Sequence, residues 1–441
     1  MPDTLFTTDA MRAVFSDHAR VSRMLAFEAA LAHAEERVGI IPPGTARSIA
    51  HECRVEDYDR EGLTYRARSA GNLAIPLVAA LTRRVGEHAP AAKGYVHWGA
   101  TSQDVIDTGL VLQLRDALNL IDTDVERLIA ALIDQIQRHK ATALAGRTWL
   151  QQALPITLGL KFAGTLATMD RHRERLADLR ARVLVIQFGG AVGTLASLGE
   201  RAAEVESALA AELHLAIPEL PWHTQRDRFV EVATTLGSLT ATLGKLARDL
   251  SLLAQTEVGE VREPAAEGRG GSSTLPQKRN PVGCAIALAA ATRVPGLVAT
   301  MLSAAVQEHE RGLGNWPVEW DTLPDIVLAC AGALDAMVTV VAGLQVDSER
   351  MRANLDLTQG QVMAEAAQMA LAPTLGRDVA HALVADACKR AAAQRKPVPE
   401  VLAAEPKVAA ILDPDTLSRV FDPQRYLGVT ASFIERALSA R

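Results

Sequence analysis

The stretch GRGGSSTLPQKRNPVG, Gly268–Gly283, combines residue types that can move a proton. Its glycines permit a flexible hinge, and its two prolines stiffen the far end. Lys278 follows Ser272 and Ser273, and a cation beside a serine stabilises an alkoxide or an enolate forming on a bound carboxylate. The stretch matches neither the phosphate-binding pattern G-x-x-x-x-G-K-[ST] nor the nucleophile elbow G-x-S-x-G. We therefore predict a mobile catalytic loop; a flexible surface linker is the alternative.

A second polar cluster, YVHWGATSQDVIDT (Tyr95–Thr108), comes directly before a long apolar stripe. His97 supplies a titratable ring, and Thr101 and Ser102 supply hydroxyl groups that can bind a polar ligand. One hydroxyl can equally serve as a helix N-cap. His97 is open to two interpretations, a second proton carrier or a hydrogen-bonded structural histidine.

Other polar segments follow, which we expect at the ends of long helices. Glycines in one of them would let backbone N–H groups approach an anion. Arginines in another could add charge, although exposed arginines usually face solvent. The segments and their candidates are GRTWLQQALPIT (Gly146–Thr157) with Gln152, QFGGAVGT (Gln187–Thr194), PWHTQRDR (Pro221–Arg228) with Arg226 and Arg228, and QEHERGLGNWPVEWDTLP (Gln307–Pro324) with His309 and Arg311. His309 is open to the same two interpretations as His97.

The elements that must position these residues are long helices. Apolar residues recur every three or four positions from Leu110 to Ile136 and again from Val232 to Leu253. Such stripes predict helices that pack in a bundle. Three further long helices are predicted, from after Pro155 to about Val185, from about Gly283 to Gln307 with Pro295 as a site for a kink, and from about Leu323 to Leu344. The fold class is therefore all-α with a central five-helix bundle.

Shorter helical pieces flank this block and predict three domains. These are an N-terminal helical domain (1–105), a central long helix bundle (106–345) and a C-terminal helical domain (346–441). Long leucine seams also favour association with further chains. A monomer whose bundle is internally satisfied is the alternative.

Composition excludes several classes of protein. The formal net charge of −6 argues against a nucleic-acid-binding protein. The four cysteines are scattered, which predicts neither a zinc site nor a disulfide framework and fits a reducing cytosol. No signal peptide is recognisable, and Arg293 and Pro295 interrupt the most apolar stretch. We expect a cytoplasmic protein that binds neither nucleic acid nor membrane.

Three of the polar segments together resemble the shared segments of the fumarase/aspartase superfamily. GSSTLPQKRNP resembles its signature G-S-S-x-M-P-x-K-x-N-P, with Leu275 where methionine is usual. HWGATSQD resembles its H-x-G-x-T-S-x-D segment, and GRTWLQQALPIT resembles its second shared segment. The resemblance covers essentially the whole chain. It implies three helical domains, with bundles that associate in a homotetramer, and active sites shared between three subunits.

The resemblance also implies roles for individual residues, with no metal and no organic cofactor. Ser272 is implied as the general acid/base, and Lys278 and Asn280 as the clamp for the carboxylate on which charge develops. The implied substrate-binding residues are His97, Thr101, Ser102, Trp149, Gln152, Ser273 and Arg311, with Arg279 and Arg20 as further candidate cations.

One departure from the superfamily narrows the reaction. Members that release fumarate usually carry a histidine after GRT, as a proton donor or its helper, whereas this chain has Trp149. An indole cannot transfer a proton. A cycloisomerase that closes a lactone has less need of such an acid, because its departing group is the substrate's own carboxylate. The resemblance is therefore greatest to lactone-forming cycloisomerases acting on a small tricarboxylate. The alternatives are a fumarate-releasing lyase and a non-enzymatic bundle protein.

Overall fold

The computed structural model describes residues 5–264 and 270–439, and Gly268 and Arg269 of the glycine-rich loop lie outside them. The described chain is predominantly helical, which confirms the all-α prediction. The α-helices are α1 (Asp9–Val14), α2 (Asp17–Val38), α3 (Thr45–His51), α4 (Arg60–Ala70), α5 (Ala74–His88), α6 (Ser102–His139), α7 (Leu158–Val183), α8 (Ala202–Leu213), α9 (Asp227–Leu253), α10 (Val282–Ala304), α11 (Asn315–Ala342), α12 (Ser348–Asp356), α13 (Ala364–Leu375), α14 (Arg377–Gln394), α15 (Val398–Ala403), α16 (Pro406–Ala409), α17 (Pro414–Val420) and α18 (Thr430–Ser439). Short 3-10 helices cover Val55–Asp57, Pro90–Tyr95, Ala196–Arg201, Gln361–Met363 and Pro423–Arg425.

The long helices form where the apolar stripes predict them. Helix α6 extends beyond its stripe at both ends, and α9 contains the whole of the second stripe. Helix α11 begins at Asn315, earlier than predicted, because Pro317 lies in its first turn, where a missing N–H costs nothing. Helix α10 continues through Arg293 and Pro295, which do not end it.

The stripes are buried, as their periodicity requires. Leu114, Leu118 and Val125 of α6 are at most 1% exposed, and Leu236 and Leu243 of α9 are fully buried. Burying one such side chain contributes about 1.5–3 kcal/mol relative to leaving it exposed. Packing of these faces therefore stabilises the long helices more than their intrinsic propensity does.

The described chain falls into two compact units. The first unit comprises the described parts of Met1–Val125, Arg171–Gly244 and Ile286–Asp335, and the second comprises those of Glu126–Asp170, Lys245–Ala285 and Ala336–Arg441. Within the first unit, α2 packs against α3 and α8. Within the second, α13 packs against α14, and Ala367, Leu371 and Val384 lie in its core. The three-domain division stays a prediction.

A β-hairpin in the second unit was not predicted. Strands β1 (Ala143–Thr148) and β2 (Gln151–Thr157) pair antiparallel, with Thr148 opposite Gln151. The two residues of the turn, Trp149 and Leu150, have φ values of 54° and 62°. Such hairpin turns favour Asn-Gly pairs because both residues need positive φ. A Trp-Leu turn carries no such signal. A second small pair joins β3 (Val261–Arg262) to β4 (Gln345–Val346).

Among residues 5–264 and 270–439, two helices, α10 and α11, could cross a membrane by length and composition alone. In α11, 72% of the most apolar 18-residue stretch is buried, as in the core helix of a globular domain. In α10 the corresponding stretch is 28% buried. Bundle helices of globular proteins pass the same test, so the finding is weak evidence for a membrane span.

Helices α9 and α10 approach each other closely at two glycines in the first unit. A Cβ on Gly244 would lie 2.4 Å from the Cβ of Ala291, and one on Gly237 would lie 2.9 Å from a methyl group of Val298. Both glycines belong to the face of α9 that meets α10. The contact between these helices therefore depends on the missing side chains.

We predict that Gly244→Ala lowers the free energy of unfolding by about 1–3 kcal/mol, because the added methyl group overpacks the contact with Ala291. Gly164→Ala in α7 is the matched control, since nothing lies within 4 Å of its Cβ position. Alanine there should be neutral or stabilise by up to about 1 kcal/mol. Urea unfolding at equal protein concentration measures both changes. Equal effects of the two substitutions would contradict the close contact.

Candidate active site

The carboxylate of Asp104, in the first turn of α6, joins three of the polar segments within the first unit. It accepts hydrogen bonds from the backbone amides of Thr101 (3.0 Å), Gly189 (3.1 Å) and Gly190 (2.9 Å). His223 Nε2 lies 2.8 Å from its Oδ1. Asp104 is fully buried. A buried carboxylate needs such donors, because an unsatisfied charge costs several kcal/mol.

The glycines around Asp104 are required by close approach. A Cβ on Gly190, whose φ is 67°, would lie 2.9 Å from the carbonyl oxygen of Gly99. A Cβ on Gly189 would lie 2.8 Å from the ring of His223. The glycine-rich turn therefore lies directly against the HWGATSQD segment.

Two hydroxyl groups at the start of α6 stay free for a ligand. Thr101 stands at the N-cap position, yet the Asp104 carboxylate takes the bond to its backbone amide. Within residues 5–264 and 270–439, neither the Thr101 nor the Ser102 hydroxyl has a hydrogen-bond partner. Both residues are half-buried. The N-cap interpretation therefore does not account for these hydroxyls.

His97 is held by a buried carboxylate. Its Nδ1 lies 2.7 Å from Oε1 of Glu28, and its side chain is 17% exposed. Burial lowers the pKa of His97, but the charge and hydrogen bond of Glu28 and the charge of Asp104 outweigh it, so the pKa is raised overall. The backbone φ of His97 is 60°, a strained conformation that is common at functional sites. Glu28 therefore favours the protonated form of His97 and fixes its ring, with Nδ1 toward the carboxylate.

A second buried carboxyl group lies on the same helix as Glu28. Glu35 is 1% exposed, and burial, aided by the charge of Glu28, raises its pKa from 4.5 to about 9. Glu35 is therefore protonated at neutral pH.

Arg226 forms a buried ion-pair cluster. Its guanidinium donates to Asp107 (Nη1 to Oδ2, 2.6 Å) and to Glu319 (Nε to Oε1, 3.0 Å). It stacks on the rings of Trp222 and Phe229, each 4.9 Å from its Cζ. The interpretation of Arg226 as solvent-facing is wrong, since it is 1% exposed. The cluster joins α6, α9 and α11.

Arg311 is half-buried and has only neutral acceptors in the described chain. Its Nη1 donates to Oε1 of Gln103 (2.9 Å) and its Nη2 to the carbonyl oxygen of Ala191 (2.8 Å). Nearby, the exposed His309 has a φ of 45°, and its carbonyl oxygen accepts from the Thr224 hydroxyl. Its exposure speaks against a buried structural role.

Arg20 lies elsewhere in the first unit. It lines a pocket of about 200 Å³ with Met24, Leu110 and Trp320. The pocket lining does not include the other site candidates of this unit.

The described part of the serine loop, in the second unit, folds back on itself. Oγ of Ser272 accepts from the amides of Leu275 (3.0 Å) and Thr274 (3.3 Å). The Asn280 amide donates to the carbonyl oxygen of Gly271 (3.2 Å). Two N–H groups pointing at one hydroxyl oxygen favour negative charge on it.

The base of the loop is fixed, while its cations are exposed. The carboxylate of Glu263 accepts from the amides of Gly283 and Cys284 at the start of α10. Ser273, Lys278 and Arg279 are exposed. The loop therefore presents its cations outward from a fixed base.

The β1–β2 hairpin presents Trp149 from a firm support in the second unit. Arg147 pairs with the buried Glu260 through two bonds of 3.0 and 2.7 Å, and Asn354 donates to the same carboxylate. The side chain of Trp149 at the tip is 98% exposed, and Gln152 is half-buried with a buried Oε1 that lacks a partner in the described chain.

The structure thus assembles the predicted candidates in two groups. The first unit carries His97, Thr101, Ser102 and Arg311, and the second carries Trp149, Gln152, Ser272, Ser273, Lys278 and Asn280. Of the supporting residues, Gln103, Asp107, His223 and Glu319 lie in polar segments that the sequence analysis singled out, whereas Glu28 was missed.

This arrangement matches a known family of enzymes. Residues 5–296 match the family model described as lyase, and residues 360–437 match that of the adenylosuccinate lyase C-terminus. The chain belongs to this lyase family, the fumarase/aspartase superfamily.

Several proteins similar to this chain are named for the same activity, the lactonization of carboxymuconate. The chain is 55% identical to a 3-carboxy-cis,cis-muconate cycloisomerase of Pseudomonas aeruginosa, over 99% of this chain and 95% of the relative. It is similar to the crystal structure of the 3-carboxy-cis,cis-muconate lactonizing enzyme from Pseudomonas putida, with 52% identity, a TM-score of 0.95 and coverage of 99% and 98%. The beta-carboxy-cis,cis-muconate cycloisomerase from Acinetobacter calcoaceticus has 42% identity, a TM-score of 0.95 and coverage of 100% and 99%.

We predict that the free energy of unfolding falls as pH rises from about 5 to about 9. Folded Glu35 keeps its proton up to about pH 9, whereas the unfolded chain releases it near 4.5. The folded state binds the extra proton in that window, so raising the pH favours unfolding. Glu35→Gln keeps the neutral shape and should be more stable than wild type at pH 8, by about 1 kcal/mol or more.

Urea unfolding at several pH values measures this effect. Glu61→Gln on the exposed surface of α4 is the control and should leave the pH profile unchanged. A Glu35→Gln profile parallel to that of wild type would show that Glu35 is ionised in the folded state.

Proposed function

We propose that this protein is a cycloisomerase that interconverts 3-carboxy-cis,cis-muconate and 4-carboxymuconolactone, in protocatechuate catabolism by the β-ketoadipate pathway. The similarity to cycloisomerases over nearly the whole chain carries this proposal. The tryptophan at position 149 supports it over the alternative, a fumarate-releasing lyase such as adenylosuccinate lyase. An indole cannot protonate a leaving group, and a carboxylate leaves without a proton.

In the lactonizing direction, a carboxylate oxygen of the substrate adds to the conjugated alkene. The electron pair of the alkene moves onto the carboxylate conjugated with it, giving an aci-carboxylate. A proton is then delivered to the carbon atom next to that carboxylate. The reaction is an isomerisation, so all atoms stay in the product. The enzyme must supply the proton and stabilise the charge.

Ser272 is the proposed proton carrier. After it gives its proton to carbon, the alkoxide that remains accepts hydrogen bonds from the amides of Thr274 and Leu275. Lys278 and Asn280 hold the carboxylate on which charge develops, as the shared motif implies. Exclusion of water by loop closure strengthens these interactions.

The other carboxylates need cations and hydroxyl donors. Arg311 supplies positive charge, His97 supplies a ring whose protonated form Glu28 favours, and Thr101 and Ser102 supply hydroxyl groups. Gln152 and Ser273 add polar contacts, and Trp149 covers the substrate with an apolar face. A protein with a net charge of −6 needs this local cluster to bind a trianion.

The proposal includes a homotetramer in which three subunits contribute to each active site. Apolar surface on the single chain supports it. Helix α10 is highly apolar yet mostly exposed, and Leu302 on it is 52% exposed. Trp149 and Leu150 at the hairpin tip are 98% and 76% exposed. Patches of this kind mark contacts with other chains. The protein is proposed to be cytoplasmic and to bind neither membrane nor nucleic acid.

We predict that the wild type lactonizes 3-carboxy-cis,cis-muconate and that Ser272→Ala lowers kcat roughly 100- to 10,000-fold, because the proton carrier is lost. The absorbance of the conjugated diene follows the reaction. Gln277→Ala, exposed in the same loop, is the control and should be close to wild type.

Adenylosuccinate serves as the second substrate in the same assay. The wild type should release no fumarate from it. Near-normal turnover by Ser272→Ala would refute the assigned proton carrier. Efficient fumarate release would instead favour the alternative lyase.

A further inference from the structure

We propose that Gln103, held by Asp107 and by the backbone carbonyl of His223, is a positioning residue that fixes the guanidinium of Arg311 toward a substrate carboxylate. The proposal rests on the proposed function, in which Arg311 binds that carboxylate. A continuous chain of hydrogen bonds runs from Glu319 through Arg226, Asp107 and Gln103 to Arg311, all within the first unit.

The orientation of the Gln103 amide is determined by its neighbours. Its Nε2 donates to Oδ2 of Asp107 (3.0 Å) and to the carbonyl oxygen of His223 (2.8 Å). Both neighbours are acceptors, so a flipped amide would place oxygen against oxygen at two contacts. The amide oxygen must therefore face Nη1 of Arg311, 2.9 Å away. Gln103 is fully buried, which prevents water from replacing either bond.

Asp107 is fixed in turn by three donors besides Gln103 Nε2. Nη1 and Nη2 of Arg226 lie 2.6 and 3.2 Å from its oxygens, and the Trp316 indole N–H donates at 3.0 Å. Arg226 is itself fixed by Glu319 and by stacking on aromatic rings. These buried hydrogen bonds hold the Asp107 carboxylate in one orientation. The carboxylate in turn fixes the orientation of the Gln103 amide, which donates to it.

The guanidinium of Arg311 is therefore held in one orientation, while its positive charge is not neutralised by these contacts. Its two acceptors in the described chain, the Gln103 amide oxygen and the Ala191 carbonyl oxygen, are neutral. Neutral acceptors fix the plane of the guanidinium without cancelling its charge. The N–H groups that remain can form charge-assisted bonds to an incoming carboxylate. A carboxylate in place of Gln103 would neutralise Arg311 instead.

The test is a double-mutant cycle with Gln103→Met and Arg311→Lys. Methionine keeps the volume of glutamine but cannot accept from Arg311. Gln103→Met should raise KM for 3-carboxy-cis,cis-muconate tenfold or more, with kcat within about threefold of wild type. In the Arg311→Lys background the same substitution should change KM less than threefold, because Gln103 acts through the guanidinium. A general structural role would give multiplicative effects.

Gln135→Met is the matched control. Gln135 is also a buried glutamine of α6, and its Nε2 donates to the carbonyl oxygen of Val341 (3.0 Å). This substitution should leave KM unchanged. Gln103→Asn, which keeps the amide but shortens its reach, should also raise KM, and it decides the question if Gln103→Met does not fold.

The outcomes separate this inference from the proposed function. A wild type inactive on 3-carboxy-cis,cis-muconate would refute the function and with it the inference. An active wild type with unchanged KM in Gln103→Met or Gln103→Asn would overturn the inference alone. So would an unchanged KM in Arg311→Lys, or effects that multiply in the double variant.

Discussion

The hydrogen bonds received by the buried Asp104 carboxylate are the constraint on which the first-unit site depends. One side chain in the first turn of α6 takes donors from its own segment, from the glycine-rich turn and from His223. Each donor comes from a different polar segment of the sequence. A buried charge that loses such partners is costly, so the segments are held together strongly. The free hydroxyls of Thr101 and Ser102 are positioned by this arrangement.

Buried acidic residues of the first unit support the side chains that we predict to bind substrate, as Glu28 holds His97. Asp107 holds Arg311 indirectly, through the side-chain amide of Gln103. Because this amide is neutral, it leaves the guanidinium charge uncompensated. Apolar faces of the long helices provide the rigid support. A protein of negative net charge can in this way present a positive site to a trianion.

The sequence predicts the long helices and the chemistry of the loop, and misses the supporting contacts. Apolar periodicity is a local signal, so the five long helices were found, with α11 beginning earlier than expected. The β-hairpin was missed because its turn uses Trp149 and Leu150 at positive φ instead of Asn-Gly. The partners of Arg226, Asp107 and Glu319, are distant in sequence, and no local pattern reports such pairing. The roles of Ser272 and Lys278 came from the motif, and they stay predictions.

Amide hydrogen exchange in an Asp104→Asn variant tests the central claim most directly. The asparagine side chain cannot accept all the bonds that the carboxylate accepts. We expect exchange at Thr101, Gly189 and Gly190 to accelerate together, by at least roughly tenfold if one net hydrogen bond is lost at each. Amides of α14, in the second unit, should be unchanged. Unchanged protection at all three sites would show that Asp104 does not hold the segments together.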